Sequence, residues 1–329
     1  METLLISGGL LRPNGFELGE GKYYGCAKLL SLDTSTGQVE TLLSIDRGND
    51  NFPSEYPNLE FTAMAVDGNV LWIPTDTEIR QYSYPDLELL KTYSHKCFHN
   101  IHSVAVRENR LFVTSTGLDM VVVLDKDTGE IVDQINAEGK ETWHRFSPEI
   151  DYRKLHSTRP HDCHPNYVFW IENQPWVTRC TQEDAVNLHD NSQRIDISGP
   201  NKSISVHDGI VAGDFVYFTS VDAYIIVADI RTLEIVETIN LNSVRGYGQV
   251  RGWCRGLFVK NDILYLGFSL LRKTRHLDKI KWLKPLLRNR EVSETCSVLA
   301  FDISSRTIVG DYPIKDTDIS AIYSITHKP

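Results

Sequence analysis

The sequence predicts an all-β fold, a six-bladed β-propeller of four-stranded antiparallel blades closed by joining its N- and C-terminal segments. Three observations carry this. Residues 62–93, 102–135 and 207–238 repeat one pattern: an alternating strand, a tight turn, a β-branched or aromatic strand, a short loop, a third strand, a polar turn and a fourth strand. Aligning these copies on their second strands adds two more, starting near His164 and Trp253. The two ends of the chain then supply complementary parts of a sixth.

Taken in order, residues 22–44, with Lys28-Leu29-Leu30-Ser31-Leu32-Asp33 and the turn Ser35-Thr36-Gly37, read as the outer half of a blade without its first strand. Met1-Glu2-Thr3-Leu4-Leu5-Ile6 also reads as a strand: it has an acid where a signal peptide needs a base, and its apolar run is short. The next blades turn at Gly68-Asn69, Asn109 and Gly213-Asp214, and Asp127-Thr128-Gly129 joins the third and fourth strands of the second repeat. In this register Thr62, His102, Asn166, His207 and Arg255 are equivalent, at spacings of 40, 64, 41 and 48 residues. The spacing of 64 implies an insertion around residues 138–160. Residues 318–326 are an inner strand with no blade after it, so pairing it with the first half-blade removes both open edges.

The last complete blade carries a second insertion. Residues 272–290 hold eight Lys or Arg against the single acid Asp278. Leu277, Ile280, Leu283 and Leu287 recur at helical spacing, which predicts a basic amphipathic helix. It would be a solvated cap on the disc or a contact for a protein partner, an anionic molecule or a membrane surface. The whole of 1–329 reads as one propeller domain, by default a monomer.

Composition narrows the function classes. With 41% hydrophobic and 24% charged residues over 329, the chain is globular and long enough for a core without staples. The cysteines Cys26, Cys97, Cys163, Cys180, Cys254 and Cys296 are scattered with no C-x-x-C pair, which favours a reducing, cytoplasmic location. A net charge of -10 argues against a nucleic-acid partner, and no apolar run is long enough for a transmembrane segment. No P-loop, G-x-G-x-x-G, G-x-S-x-G or H-E-x-x-H occurs, so no nucleotide cofactor is expected.

In a propeller the innermost strands line a central channel, and residues two apart share a face. One expected ring is Thr62, His102, Asn166, His207 and Arg255; the other, two residues earlier, is Glu60, Asn100, His164, Ser205 and Trp253. Three histidines from successive blades, His102, His164 and His207, suit a divalent transition metal such as Zn, Fe or Mn. Glu60, His164, His207 and Arg255 are the expected catalytic residues, with Glu60 as proton carrier or fourth ligand and Arg255 holding an anionic group. Thr62, Asn166, Trp253 and Tyr247 are expected to touch substrate, and Trp143 also lies on a loop feeding the mouth. The other possibility for each histidine is a hydrogen bond to backbone. His99 and His161 are nearby spares, because a slip of one residue turns every side chain over. Cys163 and Cys254 should point away from the channel as small core residues.

Cys163-His164-Pro165-Asn166, a strand, then Val177-Thr178, together with Arg255-Gly256-Leu257 through Gly267-Phe268-Ser269-Leu270-Leu271-Arg272, resembles an uncharacterised bacterial group of six-bladed propellers. That group carries a CH-x-N motif, a later RGL...G-x-S-x-x-R motif, and a histidine opening the blade between them, here His207-Asp208-Gly209. The resemblance is best over residues 160–272 and implies the fold without an activity. More distantly the chain is similar to strictosidine synthase-like, gluconolactonase-like and NHL-repeat propellers. Gluconolactonase-like enzymes hold their metal on carboxylates and Asn, whereas histidines dominate here. The NHL-type amidating lyase places zinc on three histidines from different blades, an arrangement His102, His164 and His207 match in kind.

The expectation is therefore an enzyme acting on a small molecule, an anionic one included, in the channel by metal-assisted lyase or hydrolase chemistry, as in a specialised biosynthetic pathway. The alternative is a non-enzymatic scaffold that binds a protein partner through its loops and residues 272–290.

Overall fold

A computed structural model describes residues 2–198, 205–271, 283–288 and 290–327. Strands β1 (Thr3–Leu11), β2 (Tyr24–Asp33) and β3 (Val39–Ile45) form three quarters of the first blade. The second blade is β4 (Ala65–Asp67), β5 (Val70–Pro74), β6 (Ile79–Ser83) and β7 (Leu89–Tyr93). The third is β8 (Ile101–Arg107), β9 (Arg110–Ser115), β10 (Met120–Asp125) and β11 (Ile131–Asn136). Next come β12 (Pro165–Ile171), β13 (Gln174–Arg179), β14 (Asp184–Asn187) and β15 (Arg194–Asp196), then β16 (Val206–Ala212), β17 (Phe215–Ser220), β18 (Tyr224–Asp229) and β19 (Ile235–Asn240). The sixth blade is β20 (Cys254–Lys260), β21 (Ile263–Phe268), β22 (Cys296–Asp302) and β23 (Thr307–Ile314). Strand β24 (Ala321–His327) then pairs antiparallel with β1, giving the order β24-β1-β2-β3. The result is six four-stranded antiparallel blades in a ring.

The polar turns form for a local reason. Asp33, Asp125 and Asp229 each accept the N–H groups two and three residues ahead, as in Asp125 Oδ1 with Asp127 (3.1 Å) and Thr128 (3.0 Å). The second and third strands of most blades are buried on both faces because neighbouring blades pack there, while in β6 Arg80, Gln81 and Ser83 stay partly exposed. Trp72 and Tyr93 of the second blade, for example, meet Leu111, Val113 and Val122 of the third. The outermost strands face water, and four of five residues in β7 are exposed.

The first insertion spans 137–164. It runs back across the disc from the third blade, where Arg153 Nη1 donates to Asn51 Oδ1 (2.8 Å) and Arg159 pairs with Glu20 near the first blade. The second insertion, expected as a helix over 272–290, lies largely outside the described residues; one helical turn of it, α1 (Leu283–Leu286), is described, with Leu283 buried and Lys284 exposed. The six cysteines are free, and no helix among the described residues is long and apolar enough to cross a membrane.

Candidate functional site

The inner strands share a defect that places the site. Pairing shifts register between Ile101 and Val104 in β8, Pro165 and Tyr167 in β12, His207 and Ile210 in β16, and Cys254 and Leu257 in β20. Strand β24 shifts at the same level, around Tyr323. A bulge inserts an unpaired residue and re-aims its side chain. Five bulges at one height turn five inner strands inward together, and His102, Asn166, His207, Arg255 and Tyr323 line one small central cavity. Ala63, Tyr167 and Asp208 complete its wall.

The polar groups in this ring are connected. Asn166 Nδ2 donates to the Val206 carbonyl (2.7 Å), which fixes the amide so that Oδ1 accepts from His102 Nδ1 (2.7 Å). His102 Nε2 lies 2.9 Å from Asn100 Oδ1, and with the ring's hydrogen on Nδ1 the Asn100 amide must turn its NH2 to Nε2 to donate there. Burial, with help from the Arg255 charge, lowers His102 to about 3, so the ring is neutral with its hydrogen on Nδ1. The His207 ring lies 23° from parallel to His102, with centroids 6.4 Å apart. The guanidinium of Arg255 sits over the Tyr323 ring, 3.7 Å from its centroid, and its buried Nε has no hydrogen-bond partner among the described residues.

One layer away, His164 meets His102 edge-on at 4.8 Å between centroids. Its Nδ1 is 2.6 Å from His161 Nδ1, a spacing that requires one ring to donate and the other to accept. Burial pushes His164 well below the ordinary histidine range and His161 down to about 4. His164 also has a positive φ of 55°, a backbone state non-glycine residues rarely adopt, and Asn100 shares it at 50°.

Two aspartates that the sequence did not single out hold these residues in place. Asp119 Oδ1 accepts the N–H groups of Cys163 (3.0 Å) and His164 (2.8 Å), while Oδ2 accepts that of Asp162 (2.8 Å) and pairs with Arg145 (2.8 Å). Asp208 Oδ2 accepts the N–H of Gly256 (3.1 Å), the residue after Arg255, and the Thr219 hydroxyl. Burial raises Asp208 to about 6, against the opposing pull of those hydrogen bonds and of Arg255. Each carboxylate thus grips the backbone at the start of the next blade.

Several expected site residues lie elsewhere. Thr62 is buried and outside the cavity lining, where Ala63 stands instead: bridging of Ala63 to Ser103 moves the wall position along by one. Glu60 is buried beside Asn58, whose Nδ2 donates to Glu60 Oε1 (2.9 Å), and lies close enough to Asp76 that burial first and its charge second raise Asp76 to about 8. Trp253 is buried outside the lining. Tyr247 packs against Phe268 and borders a separate surface groove beside Glu291 and Asp311. Cys163 is a core residue whose thiol burial pushes well up, and Cys254 is likewise buried.

A metal has partial support in this donor set. A hydrogen on His102 Nδ1, held by Asn166, is the state in which Nε2 can ligate. Against it, Nε2 already faces Asn100, and the 2.6 Å between His161 and His164 is shorter than the roughly 3.3 Å separating two ligands on bonds of about 2.0–2.1 Å around tetrahedral zinc. Among the described residues no group of three or more His, Cys, Asp or Glu side chains is arranged to hold a metal ion.

No known family matches the chain, and no curated protein matches it. Among solved structures it is similar to a protein of unknown function from Bacteroides caccae, at 12% identity and a TM-score of 0.62 over 100% of this chain and 99% of that one. It is also similar to a chain in a nidogen/laminin complex, at 11% identity and a TM-score of 0.58 over 99% of this chain and 98% of that one. At such identities the likeness is one of fold, and the bacterial group suggested by the CH-x-N and RGL motifs is not identified by it.

Proposed function

We propose that the protein is an enzyme acting on a small molecule in its central channel. The observation that carries this is the convergence of His102, Asn166, His207 and Arg255, from four successive inner strands, on one small cavity. Holding a buried guanidinium beside two partly buried imidazoles costs stability unless something in the cavity repays it in binding or chemistry. Neutral His102, held between Asn166 and Asn100, is placed to move a proton when a substrate displaces Asn100 from Nε2, and Arg255 stabilises negative charge on a substrate oxygen. That combination suits lyase or hydrolase chemistry. A divalent metal on His102, His164 and His207 would supply a polarising charge or an activated water to the same reaction.

The test is a ligand-observed NMR screen of small metabolites against the wild type, His207→Ala and Arg255→Gln, with elemental analysis of each protein. We expect hits that both variants lose at unchanged melting temperature, followed by turnover of one of them. Hits indifferent to both substitutions would overturn the reading. About one equivalent of a transition metal, lost in His102→Ala and His207→Ala, would assign the metal-assisted form; no metal after addition of Zn, Fe or Mn would leave acid–base chemistry alone. The scaffold alternative makes a different prediction: charge reversal at Lys279, Lys281 and Lys284 abolishes a protein pull-down that the histidine variants retain.

A further inference from the structure

We infer that residues 155–162 form a lid over the channel mouth, latched to the first blade and able to lift between two fixed ends. The lid stands on its own geometry; its purpose rests on the reading of the channel as a small-molecule site.

The cavity ringed by His102, Asn166, His207 and Arg255 has room for about one water molecule, so a substrate needs the mouth to open. What covers it is the end of the first insertion. In a ring of six, the first and fourth blades face each other across the channel. The segment touches both. Arg159 pairs with Glu20, and the His156 carbonyl passes Gly21, both in the loop between β1 and β2, while His161 meets His164 at the start of the fourth blade. Beneath it, His102 and His164 are lowered first by burial and then by neighbouring charges that include Arg159, as a guanidinium set over the channel requires.

The ends are fixed and the middle is not. Tyr152 is buried and donates its N–H to the Lys96 carbonyl (2.9 Å), and Asp119 grips the N–H groups of Asp162, Cys163 and His164. Between Leu155, which donates to the Tyr152 carbonyl (3.1 Å), and Asp162, no backbone N–H donates to another backbone group among the described residues. Side chains hold this stretch instead: the Arg159–Glu20 pair, the Thr158 hydroxyl on the Gly117 carbonyl, and the 2.6 Å contact of His161 with His164. Both members of the ion pair are more than a third exposed, so the latch is weak. A segment tied in this way opens without unfolding the blades.

Gly21 is the seat of the lid. At φ 70° it has the His156 carbonyl in the space a Cβ would take, whereas Gly19, at φ 91° in the same loop, has open space there. Alanine strains the backbone at both positions, and only at Gly21 does it also push the lid away.

The experiment treats the full chain with diethyl pyrocarbonate, which acylates accessible imidazoles, and follows each histidine by peptide mass spectrometry with the exposed His189 as internal standard. We expect His164 and His207 to react slowly in the wild type, about tenfold or more faster in Gly21→Ala, and at the wild-type rate in Gly19→Ala. Glu20→Gln should speed them about two- to fivefold, and high salt should do the same to the wild type but not to Glu20→Gln. Wild-type rates that already match His189, or equal rates in Gly19→Ala and Gly21→Ala, overturn the lid. Should Gly21→Ala fail to fold, Glu20→Gln and salt decide, and rates that neither changes overturn the inference. The two readings fail separately. A lid that opens in Gly21→Ala with no metabolite bound leaves the lid and removes the enzyme; metabolites that bind while His164 and His207 label alike in every variant leave the enzyme and remove the lid.

Discussion

The behaviour of the channel with pH is set by side chains that burial keeps uncharged. His102 is held at about 3, and His99 and His161 at about 4, against about 6.5 in an unfolded chain. Unfolding below pH 6.5 therefore takes up protons on these rings, so the stability they contribute is complete above 6.5 and lost as pH falls toward 4 and 3. The buried acids act in the opposite sense. Asp208 at about 6 and Asp76 at about 8 keep their protons in the fold after the unfolded chain has released them, so their contribution declines as pH rises from about 4. Thermal unfolding across pH 4–8 should show a flatter acid limb for His102→Gln than for the wild type. Asp76→Asn should gain on the wild type progressively from pH 5 to pH 8; parallel curves for either variant would mean that the group titrates normally. Asp119→Ala removes the acceptor of three backbone N–H groups and the partner of Arg145, and should cost about 3–5 kcal/mol in a denaturant titration while shifting the His164 ring signals.

At the level of the strand, the bulge is the device that turns a structural wall into a polar one. In β20 it needs Gly256, which sits at φ 84° with its α-carbon facing Ser324 of β24, where an added Cβ would lie 3.2 Å from the Ser324 Cα. Gly256→Ala should lose about 1–2 kcal/mol from the left-handed backbone alone and displace Arg255 from Tyr323. Gly37, at φ 74° with no atom within 4 Å of an added Cβ, serves as the control. Gly37→Ala should destabilise by a similar amount and leave ligand binding in the channel unchanged. If both variants bind alike, the bulge does not set the position of Arg255.

For the molecule as a whole, closure of the ring rests on β24. Ile322 and Ile325 are buried in the core between the first and last blades, and Ser324 Oγ lies 2.8 Å from Ser7 Oγ while accepting the Met64 N–H at 3.2 Å. A chain ending at Thr317 should lose cooperative thermal unfolding, and a synthetic 318–329 peptide should restore it in part. A sharp transition in the truncated chain alone would contradict that role. The ring was legible because strand alternation and turn residues such as Gly213-Asp214 recur blade after blade, and because His102, Asn166, His207 and Arg255 fall at one aligned position. Tyr167, Asp208 and Tyr323 were not, since a bulge breaks the period of two without leaving a period of its own. Asp119 was hidden for another reason: it acts on backbone 43–45 residues further along, a distance no local pattern encodes. Tyr247 looked like a loop residue, and only packing on Phe268 shows where it belongs. The place of β24 also dictates an order of events during synthesis. Tyr323, which stacks on Arg255, emerges from the ribosome after the other strands of all six blades, so the wall of the channel is completed only once β24 has been made.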